Sequence, residues 1–418
     1  MNAVRWALPL FFAAGLLRGG FNSVWAEDGQ EFLTDALSLP WYEPFATPFN
    51  GYFHTVARGC FAVIALFPVS WAAALNATFA AALTALLATA VFAAARDRLG
   101  AGAGDRLGAG ARDRLGAGAW VVAGAAAVPV GYVPNTLAQL QFPLVYAGLW
   151  MLLWSPSRTF PRVVAYTLPA LAVLNSILGL LLVPVALLRL GLRRDRDALL
   201  RAGALLPGAA LQLVPLLAGG SRRDVGERPD LDPVSVAGTY LRWGVPRSFL
   251  GFLDAFDDAW LSHRAVVLLG LAVPAACVAL ALLRQTRPQW RLAALLAGFA
   301  AFAGAFQLAV HGAPEGRYLV LITLPNIAAA VALTLPGDRP DGRFGAVPFV
   351  ALATLVAAVS VAGLRPGGYT DGLPRWDTTV SYARAQCQAE PRLRRVTVHT
   401  AQWPVLGWEA VLPCDRLR

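Results

Sequence analysis

The stretch VARGCFAVIALFPVSWAAALNATFAAALTALLATAVFAAA, residues 56–95, runs for 40 positions with Arg58 as its sole charge. A bilayer core of about 30 Å is crossed by about 20 apolar residues, so this run is longer than one span. It predicts a short membrane-skimming helix up to Phe67, a break at Pro68, and a full span from Val69 that exits at Arg96. In lipid every backbone polar group must be satisfied internally, which leaves helices or closed barrels. Barrel strands alternate apolar and polar residues over about 10 positions. This run is unbroken, and helix is selected.

The rest of the chain has the same character. Of its 418 residues 57% are apolar and 14% charged, with a mean hydropathy of +0.54. Those figures exclude an ordinary soluble fold, and the apolar excess excludes disorder. Further spans are expected at Ala7 to Leu17, Trp120 to Val133, Phe142 to Trp154, Val163 to Leu174, Ile177 to Leu190 and Ala202 to Ala218. Four more follow, at Ala265 to Leu283, Leu292 to Val310, Tyr318 to Leu335 and Phe344 to Leu364. The expected fold is all-α, a polytopic transmembrane helical protein of about eleven spans. Residues 1–364 form its transmembrane domain and residues 365–418 an extracytoplasmic carboxyl-terminal segment. Several spans are under length. Helices of 12 to 14 residues rise only about 20 Å, so paired short helices would leave a cavity open to one face.

Charge sets the orientation. All 35 basic residues are Arg, and the formal net charge is +10. Eighteen of these Arg fall in segments that an amino-end-in, carboxyl-end-out arrangement places inside, all of them short loops where the positive-inside bias operates. Residues 21–55 carry Glu27, Asp28, Glu31, Asp35 and Glu43 with no Arg, which marks them as an external loop. Residues 219–263 form a second external loop. Between spans, RDRLGAGA, GDRLGAGA and RDRLGAGA (residues 96–119) form an octapeptide triplication, expected as a low-complexity cytoplasmic loop. The scattered Arg form no stripe with interleaved aromatics, which excludes a nucleic-acid partner. Cys60 and Cys277 lie in apolar stretches as packing residues, whereas Cys387 and Cys414 share the exported tail and can form a disulfide worth roughly 3 to 4 kcal/mol on chain-entropy grounds.

Chemistry concentrates in WAEDGQEFLTDAL (residues 25–37). Acids outside a membrane are ordinary, but Trp25, Phe32, Leu33 and Leu37 make this segment amphipathic and hold Glu27, Asp28 and Glu31 at the membrane surface. A carboxylate there can act as general base on an acceptor hydroxyl. Tyr52, His54 and Arg58 precede the chain's re-entry; Arg58 either snorkels to water or contacts a phosphate, and His54 is either structural or part of that contact. Asn135, Gln139 and Gln141 sit at the outer end of a short helix pair, lining a cavity or bonding one another. His311, Glu315, Arg317 and Tyr318 form a late external turn where Arg317 opens a span against the usual bias. No HExxH, CxxC, Walker or Rossmann pattern occurs, which argues against an ATP-driven pump and leaves a lipid-soluble substrate as the natural partner.

On these residues the chain resembles the GT-C class of polytopic glycosyltransferases, and is similar to actinobacterial membrane proteins with an EDGxxF loop, a GYxxxxxR element (Gly51, Tyr52, Arg58) and a paired-Cys tail. The resemblance implies a bacterial plasma (inner) membrane location and a polyprenyl-phosphate sugar donor. It implies a glycan, glycolipid or protein acceptor. Asp28 or Glu27 would be the general base, with Arg58, Arg317, Tyr52 and His54 around the donor phosphate and Glu31, Asn135, Gln139, Gln141, His311 and Tyr318 lining the acceptor cavity. No cofactor is required, a divalent metal being optional. A transporter or flippase of a lipid-linked saccharide would use the same cavity without a base.

Overall fold

The computed structural model describes residues 2–100, 109–128, 135–217, 230–251, 263–283, 286–311, 317–336, 345–364, 373–400 and 407–417. It is mostly helical, 78% helix against 4% strand. The chain begins with α1 (Asn2–Leu17). A π-helical turn at Asp28–Leu33 then leads into the short helices α2 (Thr34–Ser38) and α3 (Glu43–Ala46). Next come α4 (Thr55–Ile64) and, past Pro68, the long α5 (Ala72–Gly100). Pro68 cannot donate its nitrogen to a helix, and the chain turns there as expected. The middle of the bundle is α6 (Ala109–Ala127), α7 (Gln141–Leu153), α8 (Thr159–Asn175), α9 (Leu182–Arg193) and α10 (Arg196–Leu217). A second π-turn, Tyr240–Gly244, separates α11 (Pro233–Thr239) from α12 (Val245–Leu250). The last apolar helices are α13 (His263–Leu282), α14 (Trp290–His311), α15 (Val320–Thr334) and α16 (Val347–Gly363).

Among the described residues four helical stretches are long and apolar enough to cross a membrane: Val69–Gly100, Arg196–Pro215, Arg264–Leu282 and Trp290–Ala309. The shorter apolar helices complete the bundle. Every residue of α7 and of α15 is buried, as befits helices that are apolar on all sides and enclosed by neighbours. Alanine makes the close approaches. A Cβ on Gly15 of α1 would stand 2.9 Å from Ala81 Cβ of α5, so the two backbones pack nearly in contact.

Two expected loops are structured. Arg96–Gly100 belongs to α5, and Ala109–Ala119 opens α6, so the octapeptide repeat is helical on both sides of residues 101–108, which lie outside the described residues. Ala, Leu and Arg are strong helix formers, and lengthening an existing helix avoids the cost of nucleation, which outweighs about 1 kcal/mol per Gly. Packing helps: Leu99 is buried, and Gly118 faces Leu335, Leu99 and Val331. Likewise residues 230–251 of the second polar segment form α11, the π-turn and α12, with Val245, Phe249 and Leu250 buried against α13 and α15.

The carboxyl-terminal segment departs from an all-helical fold. Helix α17 (Trp376–Ala389) packs on an antiparallel pair, β1 (Arg395–His399) and β2 (Glu409–Pro413), in the register Arg395↔Pro413, Thr397↔Val411, His399↔Glu409. Val396, Val398, Ala410 and Leu412 point inward onto Trp376, Val380 and Ala383. A disulfide joins Cys387 to Cys414 with a Cα separation of 5.5 Å. The unit is fastened to the bundle: Trp376 Nε1 donates to Val69 O at 2.8 Å, Trp376 N donates to Asn22 O at 2.9 Å, and Arg416 donates to Ala65 O.

Candidate functional site

The acidic segment starts on a strained residue. Ala26 has φ +34°, a conformation an L side chain rarely adopts, and it is held there while Asp28 N donates to Trp25 O at 2.8 Å. The chain then enters the π-turn Asp28–Leu33, a widened helical geometry that concentrates at functional positions. Phe32 and Leu33 anchor its apolar side in the bundle. The tail closes over it from above. Thr400 lies so near Gly29 that an added Cβ would meet Thr400 Cγ2 at 2.6 Å, and Val411 N donates to Thr34 Oγ1 at 3.0 Å.

This backbone delivers Asp28 into the protein with 0% exposure. Its Oδ1 accepts from Ala138 N at 3.0 Å, and its Oδ2 has no hydrogen-bond partner. Burial and the charge of Glu27 push the carboxyl up to about 7, against the opposing pull of Ala138, Thr136 and Asn76. Asn76 of α5 sets this corner by accepting from Leu137 N at 3.0 Å. Around Asp28 the segments that meet here bring further buried polar atoms without partners: Glu27 Oε2, Asn135 Oδ1, Gln139 Oε1 and the Thr400 hydroxyl. The carboxylate and amide oxygens among them are acceptors, so what satisfies this corner must donate.

Beside Asp28, Glu27 Oε1 stands 3.4 Å from Arg317 Nη1. That guanidinium lies over the rings of Trp25 and Tyr318, 5.6 and 5.0 Å from their centroids, and Tyr318 packs edge-on against Phe142 of α7. Residues 25–28 thus meet the 135–142 and 317–318 segments.

Arg58, expected at a phosphate, lies beside Asp35. It is 2% exposed and bonds Asp35 Oδ2 at 2.7 Å, over the Phe32 ring. Arg58 and Arg317 each have a carboxylate beside them, Asp35 and Glu27 respectively. His54 stacks on Tyr52 with centroids 4.4 Å apart and is buried, and burial together with the Arg58 charge lowers it to about 3, so it is a neutral ring. Glu31 lies within electrostatic reach of Glu27, Asp35 and Arg58, and burial raises its carboxyl.

Two of the expected cavity amides bond within the bundle. Asn135 Nδ2 donates to Gly19 O at 3.3 Å and Ala77 O at 3.0 Å, and Gln141 Oε1 accepts from Ser176 Oγ at 2.7 Å. His311 ends α14, and its side chain and Glu315 fall outside the described residues. Sequence reasoning missed Asn76, Thr136, Asp35 and Thr400 as members of this corner. Asn76 left a signal as an amide inside an apolar run and Asp35 as one of the loop's acids; Thr136 and Thr400 left none. Among the described residues no group of three or more His, Cys, Asp or Glu is arranged to hold a metal. Comparison with protein-family models, curated proteins and solved structures finds no match to this chain.

Proposed function

We propose that the chain is a membrane glycosyltransferase of the GT-C type that moves a sugar from a polyprenyl-phosphate donor to a glycan, glycolipid or protein acceptor. In this reading α1, α5 to α10 and α13 to α16 are eleven crossings of a bacterial plasma membrane, with the amino end inside and the carboxyl end outside. The acidic segment and the tail then face the extracytoplasmic side. The observation that carries the reading is Asp28: buried, anchored through one oxygen to Ala138 N, and free at the other among acceptor-lined neighbours.

Asp28 takes the proton of an acceptor hydroxyl. The acceptor oxygen forms its bond to the anomeric carbon as the bond from that carbon to the lipid phosphate breaks, and the phosphate leaves with the electron pair, inverting the centre. Arg317, beside Glu27, is the cation assigned to the leaving phosphate. Arg58, held by Asp35, fixes the π-turn. A buried carboxyl that titrates near neutrality also suits a proton-coupled carrier, so a flippase of a lipid-linked saccharide is the second reading.

The test is sugar transfer from a polyprenyl-phosphate donor by the purified protein in nanodiscs. Transfer that falls by about 10² in Asp28→Asn while donor binding persists supports the base. Undiminished turnover in both Asp28→Asn and Glu27→Gln removes it. Donor movement across vesicles without transfer favours the flippase.

A further inference from the structure

At the opposite end of the bundle from Asp28, the ends of α5, α7, α9 and α10 meet in an arginine cluster that the proposed reaction does not use. Trp154 Nε1 donates to Asp97 Oδ2 at 2.8 Å and ties α5 to the residue after α7. Arg189 and Arg201 cap the last carbonyls of α7. Arg189 donates to Leu152 O and Trp154 O, and Arg201 donates to Met151 O at 2.5 Å. Both also bond Asp197, at 2.8 and 2.7 Å, and Tyr166 Oη donates to that same carboxylate at 2.7 Å. The acids of the cluster are therefore committed: Asp97 to Trp154, Asp197 to two Arg and a phenol, and Asp195 to the backbone of Ala198 at 2.7 Å.

Positive charge is left over. Arg98 and Arg193 feel each other's charge, and neither pairs with a carboxylate among the described residues. Arg193 has only a 3.4 Å contact with Ser155 Oγ, which also accepts from Arg189 Nη2 at 2.9 Å and so keeps its own proton to give. The Nε–H groups of Arg98 and Arg189 are buried without partners, and the Arg189 side chain is only 9% exposed. Every unmet group here is a donor, and guanidinium groups match phosphate oxygens in planar, paired geometry. The cluster lies where apolar helices end, which puts its guanidinium groups beside the headgroups of a bilayer that those helices cross.

We propose that Arg98, Arg193, Arg189 and Ser155 form a binding site for the phosphate of a membrane phospholipid with a net negative headgroup. Arg98 and Arg193 supply the charge, while Nε–H of Arg189 and the Ser155 hydroxyl fix the orientation. The lipid phosphate relieves the repulsion between Arg98 and Arg193 and docks the end of α5 against α9.

The full chain, purified in detergent, is offered phosphatidylglycerol, phosphatidylcholine with the same acyl chains, or inorganic phosphate, and retained lipid is read by native mass spectrometry beside the thermal midpoint. Phosphatidylglycerol is expected to be retained and to raise the midpoint, with phosphatidylcholine retained at least about tenfold less. Arg98→Gln and Arg193→Gln should each weaken phosphatidylglycerol retention by about tenfold, the loss of one charge-assisted hydrogen bond. Arg193 is exposed, so its substitution leaves the fold intact; Arg375→Gln on the tail is the unaffected control. Equal retention of the two lipids, or undiminished retention in both variants, overturns the site. A midpoint raised by millimolar phosphate but not by phosphatidylglycerol assigns the cluster to a free anion and overturns the lipid.

Discussion

The two ends of this bundle leave opposite kinds of polar atom unsatisfied. At one end the orphans around Asp28 are mostly oxygens that accept; at the other they are guanidinium N–H groups that donate. The difference follows from how each end treats its ions. Asp197 is wrapped by Arg189, Arg201 and Tyr166, a network that braces α7 through its carbonyls. Among the described residues Asp28 has no cation paired with it, and its burial together with the charge of Glu27 destabilises its ionised form against the pull of Ala138, Thr136 and Asn76. Fold stability explains the first arrangement. It does not explain the second, and a buried carboxyl pushed up toward neutrality is what the proposed base requires.

If that contrast is right, substitutions at the two ends must fail in different assays. The largest effect is expected at Asp28, where Asn preserves shape but cannot take a proton: turnover falls by about 10² or more while the thermal midpoint holds or rises. A variant that unfolds instead would erase the distinction. Next is Asp197→Ala, which strips the buried Arg201 of its counter-charge; the fold should lose about 3 kcal/mol, read by thermal or denaturant unfolding, with turnover per folded molecule unchanged. Gly29→Ala tests the tail's grip on the acidic segment. With Thr400 in the way, overpacking of about 1 to 3 kcal/mol should loosen the tail, read as faster proteolysis after α16, and Thr400→Ser should restore part of it.

A smaller effect separates the ends by pH. Asp28 sits at about 7 in the fold against an ordinary 3.8, so the folded protein holds its proton more tightly than the unfolded chain. Its contribution to stability is whole below the ordinary carboxylate range and is lost as pH rises through about 7. The thermal midpoint of the parent protein should fall across that window and that of Asp28→Asn should not, whereas turnover, which needs the ionised base, should rise. The smallest effect belongs to Arg375→Ala: its pair with Asp377 is exposed on both sides, and no change in midpoint is expected.

Residues 56–95 reveal the fold class because apolar run length is a local property. A helix that must satisfy its backbone in lipid needs no knowledge of its neighbours, so α5, α7, α10 and α13 to α16 are readable one at a time. The Cys387 and Cys414 pairing is legible for a similar reason, being the two Cys of one short segment after the last apolar helix. The repeat at residues 96–119 misleads because its composition resembles a linker, while its described residues continue the apolar helices α5 and α6. The acidic segment can be found by its charge. Which acid is buried cannot: Glu27 and Asp28 are adjacent, and only the π-turn, the strained Ala26 and the arrival of Ala138, 110 residues away, turn Asp28 inward and leave Glu27 to Arg317. Arg58 makes the same point, since its choice between a phosphate and Asp35 is made by the fold of residues 28–38 onto α4. Ion pairs and orphaned oxygens depend on distances across the bundle, and a linear pattern carries no such distances. The sequence alone therefore determines the helices and their apolar faces; the packing decides which charge is spent on structure and which is left to act.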